Sequence, residues 1–222
     1  MNGEATLEST SSFSIRKTLY FIIKRLFDII CSLIGCIFLL PIALIVKISY
    51  ILNKDYASIF FSQDRIGKNG KTFKFYKFRS MVVDADKILE ELLKNDKEAR
   101  KEYKLNRKFK NDPRITKMGK ILRRTSLDEL PQLVNVLKGD MSLIGNRPYL
   151  PREKEDMGQY FDTIVKTKPG LTGYWQVNGR SNTTFEERLK LEEYYSNHAS
   201  LKMDIKILFK TVYVVLFHKG AE

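Results

Sequence analysis

The chain has few of the residues that build disulfide frameworks and zinc sites. It contains two cysteines and two histidines among 222 residues. Cys31 and Cys36 both fall inside an apolar run, where they are expected to be small membrane-buried side chains rather than a disulfide or a metal pair. His198 and His218 stand apart from each other, and the sequence shows no cluster of zinc ligands. These features exclude a disulfide-stapled secreted domain and fit a reducing, cytosol-facing setting.

Acidic residues are also in deficit. The chain has 26 Asp and Glu residues against 39 Lys and Arg residues, which gives a formal charge of +13 and a pI near 9.6. A chain this basic is expected to bind anionic partners. Charge alone does not choose among nucleic acid, anionic lipid and phosphorylated substrates.

One long apolar run, from Leu26 to Val46, is interrupted only by Asp28. It is long enough for the bilayer core, which takes about 20 helical residues. A long polar segment precedes it and no small-residue cleavage site follows closely, so a cleaved signal peptide fits poorly. The run therefore predicts a permanent anchor, which favours lipid headgroups and phosphorylated substrates as partners and argues against nucleic acid.

The charges that flank this run do not favour one orientation. Arg16, Lys17, Lys24 and Arg25 precede it, and Lys47, Lys54, Arg65 and Lys68 follow it. A helix that crosses once should carry its basic excess on one side, whereas a helix that enters and returns keeps both flanks in the cytoplasm. Pro41 removes a backbone hydrogen bond and offers a place to turn back. An ordinary kinked span fits the flanks equally well.

These observations predict three segments. Residues 1–17 are expected to be a mobile tail, residues 18–51 a re-entrant membrane helix broken near Pro41, and residues 52–222 one cytosolic domain. The fold class is α/β, mostly α-helical with a small β element and with interfacial amphipathic helices. Residues 58–61 and 72–78 are predicted strands, residues 84–107 form one predicted helix, and residues 201–217 suit either an interfacial helix or a core helix.

The adjacent acids Asp128 and Glu129 are the strongest candidates for chemistry. Pro131 suits a first helical turn and Gly139 a C-terminal stop, so a helix is predicted to begin here. Backbone N–H groups at such a start attract phosphate, while the carboxylates are suited to ligate Mg²⁺ or to attack phosphorus. The structural alternative is a capping box between Ser126 and Glu129.

Basic residues in loops supply candidate phosphate donors. Arg123 lies just before the acid pair, Arg147 precedes a proline that holds it extended, and Arg180 ends a glycine-rich loop that also carries Trp175. Each arginine taken singly is more simply explained as a surface ion pair. Asp204 is the one acid in the last apolar segment, where it suits a cap, an arginine partner or a second metal-site carboxylate.

Together these motifs resemble the bacterial sugar transferases, also called monotopic phosphoglycosyl transferases. The resemblance runs from about Lys24 to Ala221. Its markers are residues 24–28 (Lys-Arg-Leu-Phe-Asp), 75–81 (Phe-Tyr-Lys-Phe-Arg-Ser-Met), 126–132 (Ser-Leu-Asp-Glu-Leu-Pro-Gln), 138–142 (Lys-Gly-Asp-Met-Ser) and 169–173 (Pro-Gly-Leu-Thr-Gly). It implies a re-entrant helix with both ends cytoplasmic, at the inner face of the bacterial cytoplasmic membrane.

The resemblance also implies an activity. A UDP-sugar would donate a sugar 1-phosphate to undecaprenyl phosphate and release UMP, as the first membrane step of exopolysaccharide, capsule or O-antigen assembly. It makes Asp128 the nucleophile and Glu129 a Mg²⁺ ligand beside it. Phosphate contacts fall to Arg123, Arg147 and Arg180, with Lys77 and Asp204 as weaker candidates and Trp175 and Gln176 as supporting residues.

Three positions depart from the family pattern: Asn146, where proline is usual, Glu192, where aspartate is common, and Ala199, where tryptophan is frequent in the hexose-using branch. The 173–180 loop and the insert after Ser80 favour galactose or glucose over N-acetylated amino sugars, which stay open as an alternative. Other members carry further membrane helices and a cytoplasmic domain, so this chain resembles a minimal catalytic unit. A homodimer and downstream glycosyltransferases are further candidate partners.

Two readings from other classes remain. A non-enzymatic, membrane-tethered basic module explains the charge and the anchor but gives no role to the adjacent acids. A direct glycosyltransferase would release UDP in place of UMP.

Overall fold

The computed structural model describes the backbone of residues 2–106, 109, 111–179 and 183–216, and the side chains of residues 17–103, 109, 111–179 and 183–214. The chain divides into two compact units. Unit 1 comprises Met1–Phe38, Ser62–Tyr76 and Gln132–Glu222, and unit 2 comprises Leu39–Phe61 and Lys77–Pro131. The fold is mostly helical with little β structure, which confirms the predicted fold class.

The helices in the described residues are α1 (Asn2–Leu52), α2 (Ala85–Asn95), α3 (Lys97–Asn106), α4 (Lys117–Thr125), α5 (Gln132–Lys138), α6 (Lys154–Met157), α7 (Phe161–Ile164), α8 (Tyr174–Asn178), α9 (Phe185–His198) and α10 (Leu201–Leu216). The strands are β1 (Phe60–Ile66), β2 (Thr72–Phe78), β3 (Ser142–Ile144) and β4 (Gly170–Thr172). β1 pairs with β2, and β3 pairs with β4 in parallel.

Helix α1 carries the apolar run. Its segment Lys17–Leu52 is long and apolar enough to cross a membrane, with a mean hydropathy of 3.0 in its most apolar window. Most of its large apolar side chains are exposed, as expected of a helix whose solvent is lipid. Pro41 lies within the helix, whose bounds continue through it, and the re-entrant turn there stays a prediction. The helix begins at Asn2, and the side chains of the predicted tail up to residue 16 lie outside the described part of the chain.

Unit 2 packs around the C-terminal half of α1. Val46 and Tyr50 of this half, Ile59 before β1, Phe78 of β2 and Leu122 of α4 form its buried apolar cluster. Thr116 caps α4 by accepting a hydrogen bond from Gly119 N–H. A Cβ atom on Gly119 would collide with the carbonyl oxygen of Ser80, so glycine lets α4 lie directly against this backbone.

Unit 1 is organised around the parallel pair β3 and β4, in which Ser142 lies opposite Gly170 and Ile144 opposite Thr172. Ile144 packs with Tyr195 of α9 and Ile207 of α10 in one buried cluster. α9 begins with a reciprocal capping box between Thr184 and Glu187. The last helix, α10, therefore contributes to the core, although it also exposes Ile205, Phe209 and Val212, as an interfacial helix would.

Three predictions about elements were wrong in detail. The single helix predicted over 84–107 is two helices, because Asp96 ends α2 and its carboxylate accepts hydrogen bonds from the N–H groups of Glu98 and Ala99 that open α3. The glycine-rich segment around Trp175, which was predicted to be a loop, contains β4 and α8. The strand predicted over residues 58–61 begins at Phe60 and extends to Ile66, while the strand predicted over 72–78 is confirmed as β2.

Candidate active site

The acid pair Asp128 and Glu129 lies in a tight turn between two helices of the chain. α4 ends at Thr125, and Ser126 then adopts a left-handed conformation with φ of 57°. A 3-10 turn over Leu127–Glu129 follows, and α5 begins only at Gln132. The side chain of Ser126 makes no capping hydrogen bond, so the structural alternative of a capping box with Glu129 is wrong. The acids lie before the first turn of α5, and Gly139 (φ 87°) ends that helix as predicted.

The turn buries one acid and leaves the other accessible. Asp128 is 8% exposed, whereas the side chain of Glu129 keeps 39% of its surface. Leu127 and Leu130 on either side of the pair pack against the cluster of Val46 and Leu122. This packing anchors the turn that carries the two carboxylates.

Lys77, near the end of β2, forms an ion pair with each of the two carboxylates. Its Nζ atom donates a hydrogen bond of 2.8 Å to Glu129 Oε1 and lies 3.5 Å from Asp128 Oδ2. Phe75 and Phe78 of the same strand are both buried. Lys77 is half-buried, which strengthens its interaction with the acids.

Burial raises the pKa of the Asp128 carboxyl group, and the negative charge of Glu129 raises it further. The ammonium group of Lys77 and the guanidinium group of Arg123 lower this pKa and so favour the ionised form. A carboxylate that is desolvated but still ionised is a better nucleophile than one held by water.

Arg123, in the last turn of α4, stands beside this pair. Its Nε atom donates a hydrogen bond of 3.0 Å to Ser80 Oγ, which holds the guanidinium group in place. The residue as a whole is exposed. Arg79 has a different role, since it binds both carboxylate oxygens of Asp55 at 2.8 and 2.9 Å. Of these two arginines, Arg123 is the one with no ion pair among the described residues, so it stays the candidate for contact with an anion.

The donor set suits a magnesium ion. Mg²⁺ prefers carboxylate oxygens and usually takes only one or two from the protein, completing its shell with water and substrate phosphate. Asp128 and Glu129 supply that number of acidic groups. No group of three or more His, Cys, Asp or Glu side chains occurs among the residues described, so a site with many protein ligands is not present there.

A second cluster, which we call the Trp175 cluster, lies in unit 1 and comprises Arg147, Tyr149, Trp175, Arg188 and Glu192. The guanidinium carbon of Arg188 lies 4.1 Å from the centroid of the Trp175 ring, and that of Arg147 lies 6.0 Å from it. Two of the predicted site residues, Arg147 and Trp175, are thus brought together. Burial lowers the pKa of Arg188 and the charge of Arg147 lowers it further, so the cluster favours an incoming anion.

Glu192 is the buried acid of this cluster and binds the backbone of Arg147. It is 1% exposed, and its Oε1 atom accepts a hydrogen bond of 3.0 Å from the backbone N–H of Arg147. Burial raises the pKa of Glu192 to about 7, against the lowering effects of that hydrogen bond and of the nearby Tyr149 hydroxyl. Sequence reasoning marked Glu192 only as a departure from the family pattern and missed Arg188. The signal was their spacing of four residues, which places both on one face of α9.

Asn146, another departure, is buried and donates hydrogen bonds to Ser196 Oγ (2.6 Å), Thr167 Oγ1 (3.1 Å) and Ile164 O (3.2 Å). Proline has no side-chain donor, so this amide provides contacts that the usual residue cannot make.

The motif Lys24, Arg25 and Asp28 holds the first half of α1 to the rest of unit 1. Lys24 Nζ lies 2.5 Å from Asp204 Oδ2, and Tyr195 OH donates to Asp204 Oδ1 at 2.7 Å. Asp204 therefore pairs with a lysine, whereas the sequence left open a cap, an arginine partner or a second metal-site carboxylate. Arg25 donates to the carbonyl oxygens of the last turn of α5, and Asp28 accepts from Ser142 Oγ at 3.0 Å.

The remaining residues singled out from the sequence include Gln176, Arg180, His218 and the two cysteines. Gln176 is half-buried on α8, next to Trp175, whose Nε1 atom donates to Thr183 Oγ1 at 2.9 Å. Arg180 and His218 lie outside the described residues. Cys31 and Cys36 are free thiols, in agreement with the expectation that they form no disulfide.

Comparison of the sequence with known proteins shows to which family the chain belongs. The model of the family described as "Bacterial sugar transferase" matches residues 19–218. A protein named undecaprenyl-phosphate galactose phosphotransferase from Salmonella typhimurium is 46% identical over 90% of this chain and 41% of its own length. The exopolysaccharide production protein ExoY of Sinorhizobium fredii is 39% identical over 89% of this chain and 87% of its own. A UDP-glucose:undecaprenyl-phosphate glucose-1-phosphate transferase from Escherichia coli is 36% identical over 90% of this chain and 41% of its own.

The chain spans about two fifths of the length of the first of these relatives. The matched region includes the acid pair, Lys77, Arg123 and the whole Trp175 cluster. The predicted resemblance is confirmed, and the chain belongs to the bacterial sugar transferase family.

Proposed function

We propose that this protein is a phosphoglycosyl transferase that moves a sugar 1-phosphate from a UDP-sugar to undecaprenyl phosphate. The observation that carries the proposal is the buried Asp128 carboxylate, held 3.5 Å from Lys77 and next to the accessible Glu129. A lysine-paired acid is common as a structural ion pair. A pair of adjacent acids that shares one lysine, with an exposed arginine beside it, is the arrangement expected where a phosphoryl group is transferred.

In the first step, an Asp128 oxygen attacks the β-phosphorus of the UDP-sugar. The bond between this phosphorus and the oxygen bridging to the α-phosphate breaks, and that oxygen leaves with UMP. The sugar phosphate is then held on Asp128 as an acyl phosphate. Lys77 and Arg123 offset the charge that develops on the phosphoryl oxygens. When bound by Glu129 and Asp128, Mg²⁺ supplies further neutralisation of phosphate charge.

In the second step, a phosphate oxygen of undecaprenyl phosphate attacks the same phosphorus. The bond to Asp128 breaks, which regenerates the carboxylate and yields a lipid diphosphate sugar. Dividing the transfer allows a water-soluble donor and a lipid acceptor to react in turn with one nucleophile.

We assign Arg147 and Arg188 of the Trp175 cluster to donor binding. Guanidinium groups match phosphate geometry, and the indole ring offers a flat surface for a sugar or base. Arg180 keeps its predicted phosphate-binding role and Gln176 its supporting role. Galactose or glucose is the proposed sugar, which the names of the relatives from Salmonella and Escherichia coli support. The name of the ExoY relative supports a place in exopolysaccharide production.

For the location, we propose the cytoplasmic face of the bacterial inner membrane, with α1 re-entrant at Pro41. The exposed apolar surface of Lys17–Leu52 supports membrane insertion. Basic residues on both flanks of the run support two cytoplasmic ends. Association into a homodimer and with downstream glycosyltransferases stays a prediction.

The test offers purified protein a panel of labelled UDP-sugars with undecaprenyl phosphate and identifies the released nucleotide. UMP release together with lipid-linked sugar is the expected result. Release of UDP would instead establish a direct glycosyltransferase. Binding to acidic liposomes without release of any nucleotide would favour the non-enzymatic tether, which the basic composition alone also explains.

A further inference from the structure

Unit 1 contains a cavity of about 200 Å³ at the N-terminal end of the apolar helix. Its lining includes Phe21, Lys24 and Arg25 of α1, and also Lys68, Lys166 and Lys168 from other parts of unit 1. Pockets that enclose drug-sized molecules usually measure roughly 300–1,000 Å³. This one is therefore suited to a small polar group and not to a whole nucleotide sugar.

The charges around the cavity are unevenly matched. Five of the lining side chains are cationic and one, Asp28, is acidic. Among the described residues, Lys24 pairs with Asp204, which lies outside the lining, while Lys68, Lys166 and Lys168 form no ion pair. The cavity is thus left with an excess of positive charge.

Arg25 and Lys168 concentrate this excess. The guanidinium group of Arg25 donates to the carbonyl oxygens of Val136 and Leu137, so its hydrogen bonds go to neutral acceptors. Burial lowers the pKa of Lys168, and the neighbouring charge of Arg25 lowers it further. Asp28 raises this pKa by a smaller amount, and Lys68 lowers it, so the pKa stays below its ordinary value. A bound anion would relieve this repulsion.

The surroundings of the cavity are apolar on the α1 side. Phe21, Ile22 and Leu26 are exposed, and Lys68 Nζ lies 5.7 Å from the centroid of the Phe21 ring. The apolar run begins at Leu26, so residues 20–25 fall at the level of lipid headgroups whichever way the helix continues. A basic cavity directly beside an exposed apolar helix face matches a molecule with an anionic head and apolar chains.

We propose that this cavity binds the headgroup of an anionic glycerophospholipid, whose acyl chains lie along the exposed face of α1. The membrane around α1 supplies such lipids as immediate neighbours, and each basic residue near an anionic surface adds to binding. This lipid is a structural partner, separate from the donor and acceptor of the proposed reaction.

The test measures lipid retention by the full-length protein in detergent, using native mass spectrometry with added phosphatidylglycerol or phosphatidylcholine and no sugar donor. The cavity variant is Lys68→Ala/Lys168→Ala. The control variant is Lys71→Ala/Lys94→Ala, which removes the same charge from exposed positions outside the lining. We expect one retained phosphatidylglycerol, bound about tenfold or more weakly by the cavity variant and unchanged in the control.

Several results would overturn the proposal. If phosphatidylcholine were retained as well as phosphatidylglycerol, the lipid would not be selected by its charge. If the control variant lost as much phosphatidylglycerol as the cavity variant, the loss would reflect the net charge of the protein and not the cavity. Displacement of the bound phosphatidylglycerol by millimolar inorganic phosphate would identify the cavity as a site for free phosphate. Its displacement by an equimolar amount of undecaprenyl phosphate would identify the cavity as the binding site of the acceptor. If the double variant does not fold, Lys68→Gln alone, at an exposed position, answers the same question. Nucleotide release is measured in a separate assay, so a failure of the proposed transferase function can be distinguished from a failure of the proposed lipid binding.

Discussion

The ammonium group of Lys77 lies 3.5 Å from the carboxylate of Asp128, at the end of a strand and in a turn that are 51 residues apart in sequence. The same Nζ atom donates to Glu129 at 2.8 Å. One ammonium group therefore pairs with two carboxylates. Its removal is expected to change the ionisation of the buried acid, Asp128.

Replacement of Lys77 by alanine is expected to shift the acidic limb of the activity profile to higher pH. The pKa of Asp128 is already raised by burial, and Lys77 lowers it, so the variant should need a higher pH to ionise its nucleophile. Release of UMP against pH, normalised to each variant's maximum, measures the shift. Lys74→Ala, on the same strand and paired with Asp64, is the control and should leave the limb in place. An unmoved limb in Lys77→Ala would separate Lys77 from the ionisation of Asp128.

Replacement of Arg188 by alanine should raise KM for the UDP-sugar by about tenfold, because a charge-assisted hydrogen bond contributes roughly 1.5–3 kcal/mol. Steady-state kinetics with varied donor measure the change. Lys190→Ala is the matched control on the same helix, since Lys190 pairs only with Glu186 among the described acids. An unchanged KM for the donor in Arg188→Ala would remove Arg188 from donor binding.

The buried acid Glu192 predicts a pH dependence of stability. Its pKa is raised from 4.5 to about 7 in the folded protein, so folding favours the protonated form. Its contribution is fully present below pH 4.5 and is lost as pH rises towards about 7, by roughly 3 kcal/mol in total. Glu192→Gln should therefore lose less stability than the wild type between pH 5 and pH 8, as measured by Tm in detergent. Glu193→Gln is the control, and identical pH profiles for wild type and Glu192→Gln would contradict the assignment.

Pro41 is the predicted determinant of topology. Alanine restores the missing backbone hydrogen bond, so Pro41→Ala should straighten α1 towards a spanning helix. A tag at residue 1 reports this, because it becomes accessible from outside the cell only when the chain crosses the membrane. Leu40→Ala, at an adjacent exposed position, serves as the control. A tag that stays protected in Pro41→Ala would show that another feature sets the topology.

Local signals predicted much of the fold. The strand over 72–78 follows from its aromatic and lysine pattern, the end of α5 follows from Gly139, and the membrane helix follows from apolar length. Each of these features is determined by residues that are close together in the sequence, so it can be predicted from the sequence alone.

Features that depend on packing were not predictable in the same way. The left-handed Ser126 separates α4 from the acid turn, and Leu127 and Leu130 then pack against a cluster whose members Val46 and Phe78 come from distant parts of the chain. Likewise, Arg188 stands out only when it lies over Trp175, and Asp204 pairs with Lys24, 180 residues away.

The central claim is that Asp128 carries the sugar phosphate between donor and acceptor. The most direct measurement incubates the protein with a labelled UDP-sugar in the absence of undecaprenyl phosphate, quenches the reaction and maps covalent modification by mass spectrometry. We expect one sugar phosphate per chain on the peptide containing Asp128, UMP released in equal amount, and neither product in Asp128→Asn. Full turnover with acceptor by a protein that never becomes modified, or modification retained in Asp128→Asn, would contradict the account.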